Sequence, residues 1–206
     1  MSTKLVILDR DGTINYDRDD YVKSTDEWQP LPGAMEAIAR LNHSGWHVVI
    51  ASNQSGLGRG LFDVGTLNLM HEKMNKLLAA QGGRVDAIFY CPHTPEDRCL
   101  CRKPLSGLFQ QIGERYAMPL KGVPAVGDSL RDLQASVELG CEPHLVLTGK
   151  GEQYRYVELP DDFPPNTVTH TDLSAFVDWL LNKEQANLSS NESAGKALQG
   201  LSRGHR

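Results

Sequence analysis

Long apolar runs are missing from this 206-residue sequence. Stretches such as Leu5–Leu8 and Val48–Ala51 fall far short of the ~20 residues needed to span a bilayer. After Met1-Ser2-Thr3-Lys4 the apolar residues are too few for a signal-peptide core, and charged residues follow at once. A cytoplasmic protein without a membrane partner is expected. A basic excess is also missing: 21 Lys and Arg face 26 Asp and Glu, for a net charge of -5. That balance argues against a nucleic-acid partner, which usually demands a basic face. Cysteine is scarce, with four in the chain. In a cytosolic chain of this size, four are better read as thiols or metal ligands than as disulfides. No internal repeat is visible. What remains is ordinary for a globular fold, 40% hydrophobic and 23% charged.

Short apolar runs alternate with helical patterns. Leu5–Leu8, Val48–Ala51, Ala87–Tyr90, Pro124–Val126 and Leu145–Leu147 read as strands buried on both faces, as in parallel sheets covered by helices. Between them, Ala34–Asn42 reads as a helix ended by Gly45. Asp63 can cap a helix bearing Leu67, Met70, Met74, Leu77 and Leu78, stopped by Gly82-Gly83. Leu108, Ile112 and Tyr116 mark another helix, as do Leu130, Leu133 and Val137. Asp172 can cap a last one holding Phe176, Val177, Leu180 and Leu181. The alternation predicts an α/β fold, three layers around a doubly wound, mainly parallel Rossmann-like sheet. Residues 1–183 form the expected domain. Residues 184–206 lose the apolar period and are expected to be a disordered tail, in which a short helix is the alternative.

In an open α/β sheet, ligands bind beyond the carboxyl ends of the strands. The residues following each apolar run are therefore informative. Asp9-Arg10-Asp11-Gly12-Thr13 follows the first, and Ser52-Asn53-Gln54-Ser55-Gly56 closes the second. The third leads to Cys91 and then Arg102-Lys103-Pro104. The fourth leads to Gly127-Asp128-Ser129-Leu130-Arg131-Asp132. Asp-x-Asp-Gly by itself is usually a turn, and Gly-Asp-Ser is weak alone. Their joint occurrence in this order, each at a strand end, is far more specific. Asp9 and Asp11 suit a nucleophile and a general acid/base for breaking a phosphate ester. Mg²⁺ shared by Asp9 and Asp128 would offset their repulsion from a phosphate dianion. Ser52 can donate to a phosphoryl oxygen, and Lys103 supplies positive charge at the transferring group.

These segments resemble the four motifs of the haloacid dehalogenase superfamily of phosphatases, Asp128 and Asp132 standing for the fourth. The resemblance implies an aspartyl-phosphate intermediate and Mg²⁺ held by Asp9, Asp128 and the backbone carbonyl of Asp11. Within the superfamily the sequence is most similar to the sugar phosphatases that take the C7 phosphate from D-glycero-D-manno-heptose 1,7-bisphosphate, a step toward nucleotide-heptose and lipopolysaccharide. Ser52-Asn53-Gln54-Ser55-Gly56, Gly58-Arg59-Gly60, Cys91-Pro92-His93 and Cys99-Leu100-Cys101-Arg102-Lys103-Pro104 carry that likeness over residues 5 to about 150. That family often has Thr where this chain has Ser52; the hydroxyl survives. The likeness implies a substrate site of Asp17, Arg18, Asp19, Asp20, Ser52, Asn53, Gln54, Ser55, Arg59, Arg102, Lys103 and Ser129. Arg59 and Arg102 are candidates for the second, non-reacting phosphate, because guanidinium forks match phosphate geometry.

Cys91, His93, Cys99 and Cys101 give the spacing C-x-H-x5-C-x-C, suited to a closed tetrahedral Zn²⁺ site. Lying just before Arg102-Lys103, a structural zinc there would fix two phosphate-binding cations. Cys141 stands apart and is expected in the core. The twenty or so residues from Asp11 to Ala34 are too few for a folded lid, so a capless monomer is expected. Two alternatives remain: a histidinol-phosphate phosphatase in histidine synthesis, and a non-catalytic zinc-bearing interaction module. Histidinol-phosphate phosphatases usually lack the Ser-Gly-x-x-Arg-Gly arrangement of Ser55–Gly60.

Overall fold

The computed structural model describes residues 3–202, and only the backbone of 191–202. The first apolar run forms β1 (Leu5–Leu8), with α1 (Ala34–His43), β2 (His47–Asn53), α2 (Ser55–Gly58), α3 (Val64–Ala80) and β3 (Ala87–Cys91) following. Then come α4 (Gly107–Tyr116), β4 (Pro124–Gly127), α5 (Leu130–Val137), β5 (Glu142–Val146), β6 (Val168–His170) and α6 (Leu173–Ser202). All six strands are parallel, in the order β3-β2-β1-β4-β5-β6. That order reverses direction beside β1, which creates the crevice where such sheets take ligands.

The strand period of two distributes the core. Val6, Leu8, Val48 and Ile50 face α1, α3 and α6, packing on Ile38, Met70 and Phe176. Leu5, Ile7, Val49 and Ala51 face the other way, onto Leu108, Phe109 and Ile112 of α4. Three layers result, as expected. Residues 12–33 form turns and isolated bridges, and among the described residues no separate cap domain covers the sheet edge. Cys141 is buried in the second core cluster.

Several elements depart from expectation. β5 starts at Glu142, three residues before the apolar run, because its backbone continues the register Pro124↔Glu142 whatever its side chains are. β6 is a three-residue edge strand whose polar Thr169 hides it from hydrophobic patterning. In α3 the buried stripe runs through Leu67, Met70, His71, Met74 and Leu78, whereas Leu77 is 37% exposed. In the stretch read as a tail, α6 (Leu173–Ser202) runs on, and the last residues lie outside the described part. Helix propensity accounts for it: Lys, Glu, Gln, Ala and Leu dominate Lys183–Leu188, and the Ser189 and Ser190 hydroxyls donate to the carbonyls of Gln185 and Ala186.

Candidate active site

Asp9 leaves the end of β1 with its backbone N–H on the Val126 carbonyl, 2.8 Å away, so its side chain opens at the switch point. Lys103 arrives from the cysteine loop and is only 2% exposed. Its ammonium donates to Asp9 Oδ1 at 2.8 Å and to the Ala51 carbonyl at 2.7 Å, and pairs with Asp132 Oδ1 at 2.7 Å. Asn53 clamps the Lys103 backbone from both sides, accepting its N–H and donating to its carbonyl, each at 3.0 Å. Burial and the Asp132 charge raise the Asp9 carboxyl to about 6, against the lowering effect of Lys103.

Gly12 sits at a φ of 84°, and a Cβ there would overlap the Asp128 carboxylate. Only glycine lets the turn approach so closely. Asp128 Oδ2 accepts the Lys150 N–H at 2.8 Å, and Thr148 Oγ1 donates to the Gly12 carbonyl at 2.6 Å. Burial pushes the Asp128 carboxyl well up, and the charges of Asp132 and Asp9 add to it. Asp9, Asp128 and Asp132 bring three carboxylates within 4.8 Å of one another, with Lys103 as the one cation paired among them. With all three ionised, a surplus of two negative charges remains, which suits a divalent cation with oxygen ligands; that surplus is also what pushes Asp9 and Asp128 up in the metal's absence. This set therefore fits Mg²⁺. Asp132 joins it although sequence reasoning assigned it no part beyond motif likeness. One helical turn from Asp128, it also accepts the Ser129 N–H at 3.0 Å and hydroxyl at 2.6 Å.

Asp11 is held differently. Arg10 Nη2 at 2.9 Å, Asn15 Nδ2 at 2.8 Å and Gln54 Nε2 at 2.7 Å all donate to its carboxylate. Burial pushes Asp11 up, but the Arg10 guanidinium and these hydrogen bonds outweigh it and hold the group below its ordinary value. Arg10 is fully buried, with Nη1 3.3 Å from His71 Nε2. No spacing signal marked Arg10, Asn15 or His71. Gln54 Nε2 also donates to Ser52 Oγ at 2.8 Å, so one amide links the end of β2 to Asp11.

A cavity of about 220 Å³ opens over Asp9, Asp11 and Lys103. Of the expected substrate residues, Asp17, Arg18, Asp19, Asn53, Gln54, Ser55 and Arg102 line it. Ser52 is buried beneath, and Ser129 is engaged with Asp132. Asp20 points outward and pairs with Arg18 and Lys23. Arg59 does not line the cavity; it faces Glu96 at 3.9 Å. Arg131 and Lys150 line it without having been expected.

The cysteine loop brings its four residues together. Cys91 Sγ lies 3.6 Å from Cys99 Sγ and 3.2 Å from Cys101 Sγ, and Cys99 and Cys101 are 3.6 Å apart. His93 Nδ1 stands 3.6 Å from Cys91 Sγ and 3.3 Å from Cys101 Sγ. Tetrahedral Zn²⁺ with Zn–S bonds of ~2.3 Å has sulfur–sulfur edges of about 3.8 Å, so the set fits that ion. Arg102 Nη1 donates to the His93 carbonyl at 3.3 Å, coupling the loop to the cavity wall.

Two family models match the chain, one described as polynucleotide kinase 3 phosphatase over residues 4–129 and one as HAD-hydrolase-like over residues 100–174. Fold, site and matches define a haloacid dehalogenase-like phosphatase, an enzyme that hydrolyses phosphoric monoesters. The D-glycero-beta-D-manno-heptose-1,7-bisphosphate 7-phosphatase of Bordetella bronchiseptica is 56% identical over 180 residues, covering 87% of this chain and 99% of that protein. Its namesake in Pseudomonas aeruginosa is 50% identical over 181 residues, covering 88% and 99%. A crystal structure of D,D-heptose 1,7-bisphosphate phosphatase from B. bronchiseptica, complexed with magnesium and phosphate, superposes with a TM-score of 0.82 at 55% identity, covering 87% of this chain and 99% of that one. The chain belongs to this family of heptose-bisphosphate phosphatases.

Proposed function

We propose that the protein removes the C7 phosphate of D-glycero-β-D-manno-heptose 1,7-bisphosphate through an aspartyl-phosphate on Asp9, in the cytoplasm, on the route to nucleotide-heptose and lipopolysaccharide. The β anomer follows the relatives' names. The observation that carries the reading is Asp9 opening into the cavity 2.8 Å from a buried lysine, with Asp11 two residues on. Asp9 attacks phosphorus; the new Asp9–phosphorus bond forms as the bond to O7 of the sugar breaks. Asp11 gives its proton to O7. Arg10, Asn15 and Gln54 favour the Asp11 carboxylate, so the approaching phosphate dianion has to raise its proton affinity through like-charge repulsion. Lys103 and the Ser52 hydroxyl stabilise the charge that builds on the equatorial oxygens. A water then attacks phosphorus, loses its proton to Asp11 and frees Asp9 and phosphate. Mg²⁺, held by Asp9, Asp128 and the Asp11 carbonyl, supplies charge neutralisation when bound. Cys91, His93, Cys99 and Cys101 would hold a structural Zn²⁺ that fixes the segment leading to Arg102 and Lys103.

The test is phosphate release with Mg²⁺ from both anomers of the bisphosphate, beside histidinol phosphate. A higher kcat/KM for the β-bisphosphate is expected. Preference for histidinol phosphate would leave the chemistry standing and overturn the substrate.

A further inference from the structure

Arg10 follows β1, between Asp9 and Asp11, and its side chain is fully buried. A guanidinium stays charged, so each N–H it carries into the interior needs an acceptor. Nε donates to Asp11 Oδ1 at 3.2 Å, and Nη2 reaches Oδ1 at 2.9 Å and Oδ2 at 3.0 Å. Nη2 also donates to Gln54 Oε1 at 3.3 Å. Nη1, at the far end, meets His71 Nε2 at 3.3 Å and has no other hydrogen-bond partner among the described residues.

Arginine has donors and no acceptor, so the ring nitrogen facing it presents its lone pair. His71 is therefore neutral, with its proton on Nδ1. Burial, then the Arg10 charge, lower it to about 4 and keep it so. It comes from the middle of α3, 61 residues away in the chain. Its buried neighbours on that helix, Leu67, Met70, Met74 and Leu78, are apolar. An apolar side chain at 71 would continue the stripe but leave Nη1 without an acceptor. Asp11 lines the cavity. A carboxyl that passes a proton has to present one edge to the leaving oxygen, and geometry comes before proton affinity. The Arg10 fork fixes the plane of that carboxyl, and the fork's own direction depends on what holds its far end.

We infer that His71 is a positioning residue for the phosphatase reaction, aiming Arg10 so that Arg10 holds Asp11 toward the leaving oxygen, which rests on the acid role given to Asp11 above. The step it serves is the transfer of the Asp11 proton to the sugar oxygen as the bond from that oxygen to phosphorus breaks and the Asp9–phosphorus bond forms. Loss of His71 leaves the charge of Arg10 in place and loosens its aim.

A leaving group that departs without a proton separates aim from general loss of structure. p-Nitrophenoxide leaves as the anion, whereas a sugar alkoxide needs the proton. The quantity to measure is the ratio of kcat/KM for heptose 1,7-bisphosphate to that for p-nitrophenyl phosphate, on the full-length Mg²⁺-loaded enzyme, with enzyme in excess over the aryl ester so that slow turnover is still read. His71→Met, placed between Met70 and Met74, should lower this ratio about 10-fold, a part of the ~100- to 10,000-fold that general acid–base catalysis contributes. His71→Gln, whose side-chain oxygen can occupy the place of Nε2, should recover most of the loss. His71→Asn is too short to reach Nη1 and should not; it replaces the Met variant if that one does not fold. Equal losses on both esters, a ratio that survives, or a loss that Gln fails to recover would reduce His71 to a structural partner and overturn the inference. Asp11→Asn should lower the ratio further than any of these; if it leaves the ratio unchanged, Asp11 is not the acid, and the proposed mechanism falls together with the inference. If the heptose ester is not turned over, histidinol phosphate, whose leaving group is also an alkoxide, takes its place in the ratio, and the substrate reading alone is overturned.

Discussion

Lys103 is buried against two carboxylates, so its removal acts twice. Lys103→Met should cut kcat about 100- to 1,000-fold through the lost charge at the transferring group. It should also destabilise the fold by about 3 kcal/mol or more, because Asp9 and Asp132 are left facing each other; thermal melts without Mg²⁺ read the second effect. Asp9→Asn replaces the proposed nucleophile at nearly constant shape and relieves carboxylate crowding. A loss of at least about 1,000-fold in kcat with an intact circular dichroism spectrum is expected, and undiminished turnover would end the aspartyl-phosphate mechanism. Away from the site, His144 and His170 share a buried hydrogen bond of 3.1 Å, against Phe176 and Trp179. Burial, followed by His170 and Lys183, lowers His144 to about 3, and burial lowers His170 to about 4. Both are neutral when folded, whereas the unfolded chain takes up protons below about pH 6.5. Stability from this pair is therefore full above that pH and is lost as pH falls toward 4 and 3. Urea midpoints should decline across that window, and less steeply in His144→Phe; equal slopes would remove the pair as the cause. None of this pairing was legible in sequence, because the two histidines meet only through strand register.

At the scale of elements, the cysteine loop and the loop after β5 each position charge from outside the sheet. Protein purified without chelator should carry about one zinc per chain, and Cys99→Ser should lose it together with part of its thermal stability. Metal analysis finding none would remove the assignment of the four ligands. The C-x-H-x5-C-x-C spacing made this loop readable in sequence, since closely spaced ligands need little tertiary help to converge. The loop after β5 gave no such signal. Gly149 has a φ of 53°, and a Cβ there would overlap the Asp128 carboxylate and Gly12. Gly149→Ala should raise the Mg²⁺ concentration for half-maximal activity about 10-fold or more, by displacing Asp128. An unchanged metal requirement would mean that this loop does not hold the carboxylate in place.

Across the whole molecule, among residues whose side chains are described, α6 last holds the body at Glu184. Glu184 still accepts the Trp46 indole N–H at 3.3 Å and pairs with Lys4, whereas Gln185 through Ser190 are exposed. Truncation after Ser190 should therefore change the unfolding free energy by about 0.5 kcal/mol at most, while truncation after Trp179 should expose the core beneath Leu180; calorimetry separates the two. By itself, the sequence determined the alternation of strands and helices, the caps at Asp63 and Asp172, and the chemistry waiting at the strand ends. Those depend on periods of two and 3.6 and on motifs contiguous in the chain. Tertiary structure alone decided that β5 begins at a polar residue and that β6 exists, because edge pairing follows backbone register. It also put Asp132 beside Asp9 and Arg10 against His71, and set Lys150 against Asp17, while turning Arg59 away. Such partners come from distant segments or from the direction a helix presents, and no local pattern records which charges the fold will bring face to face.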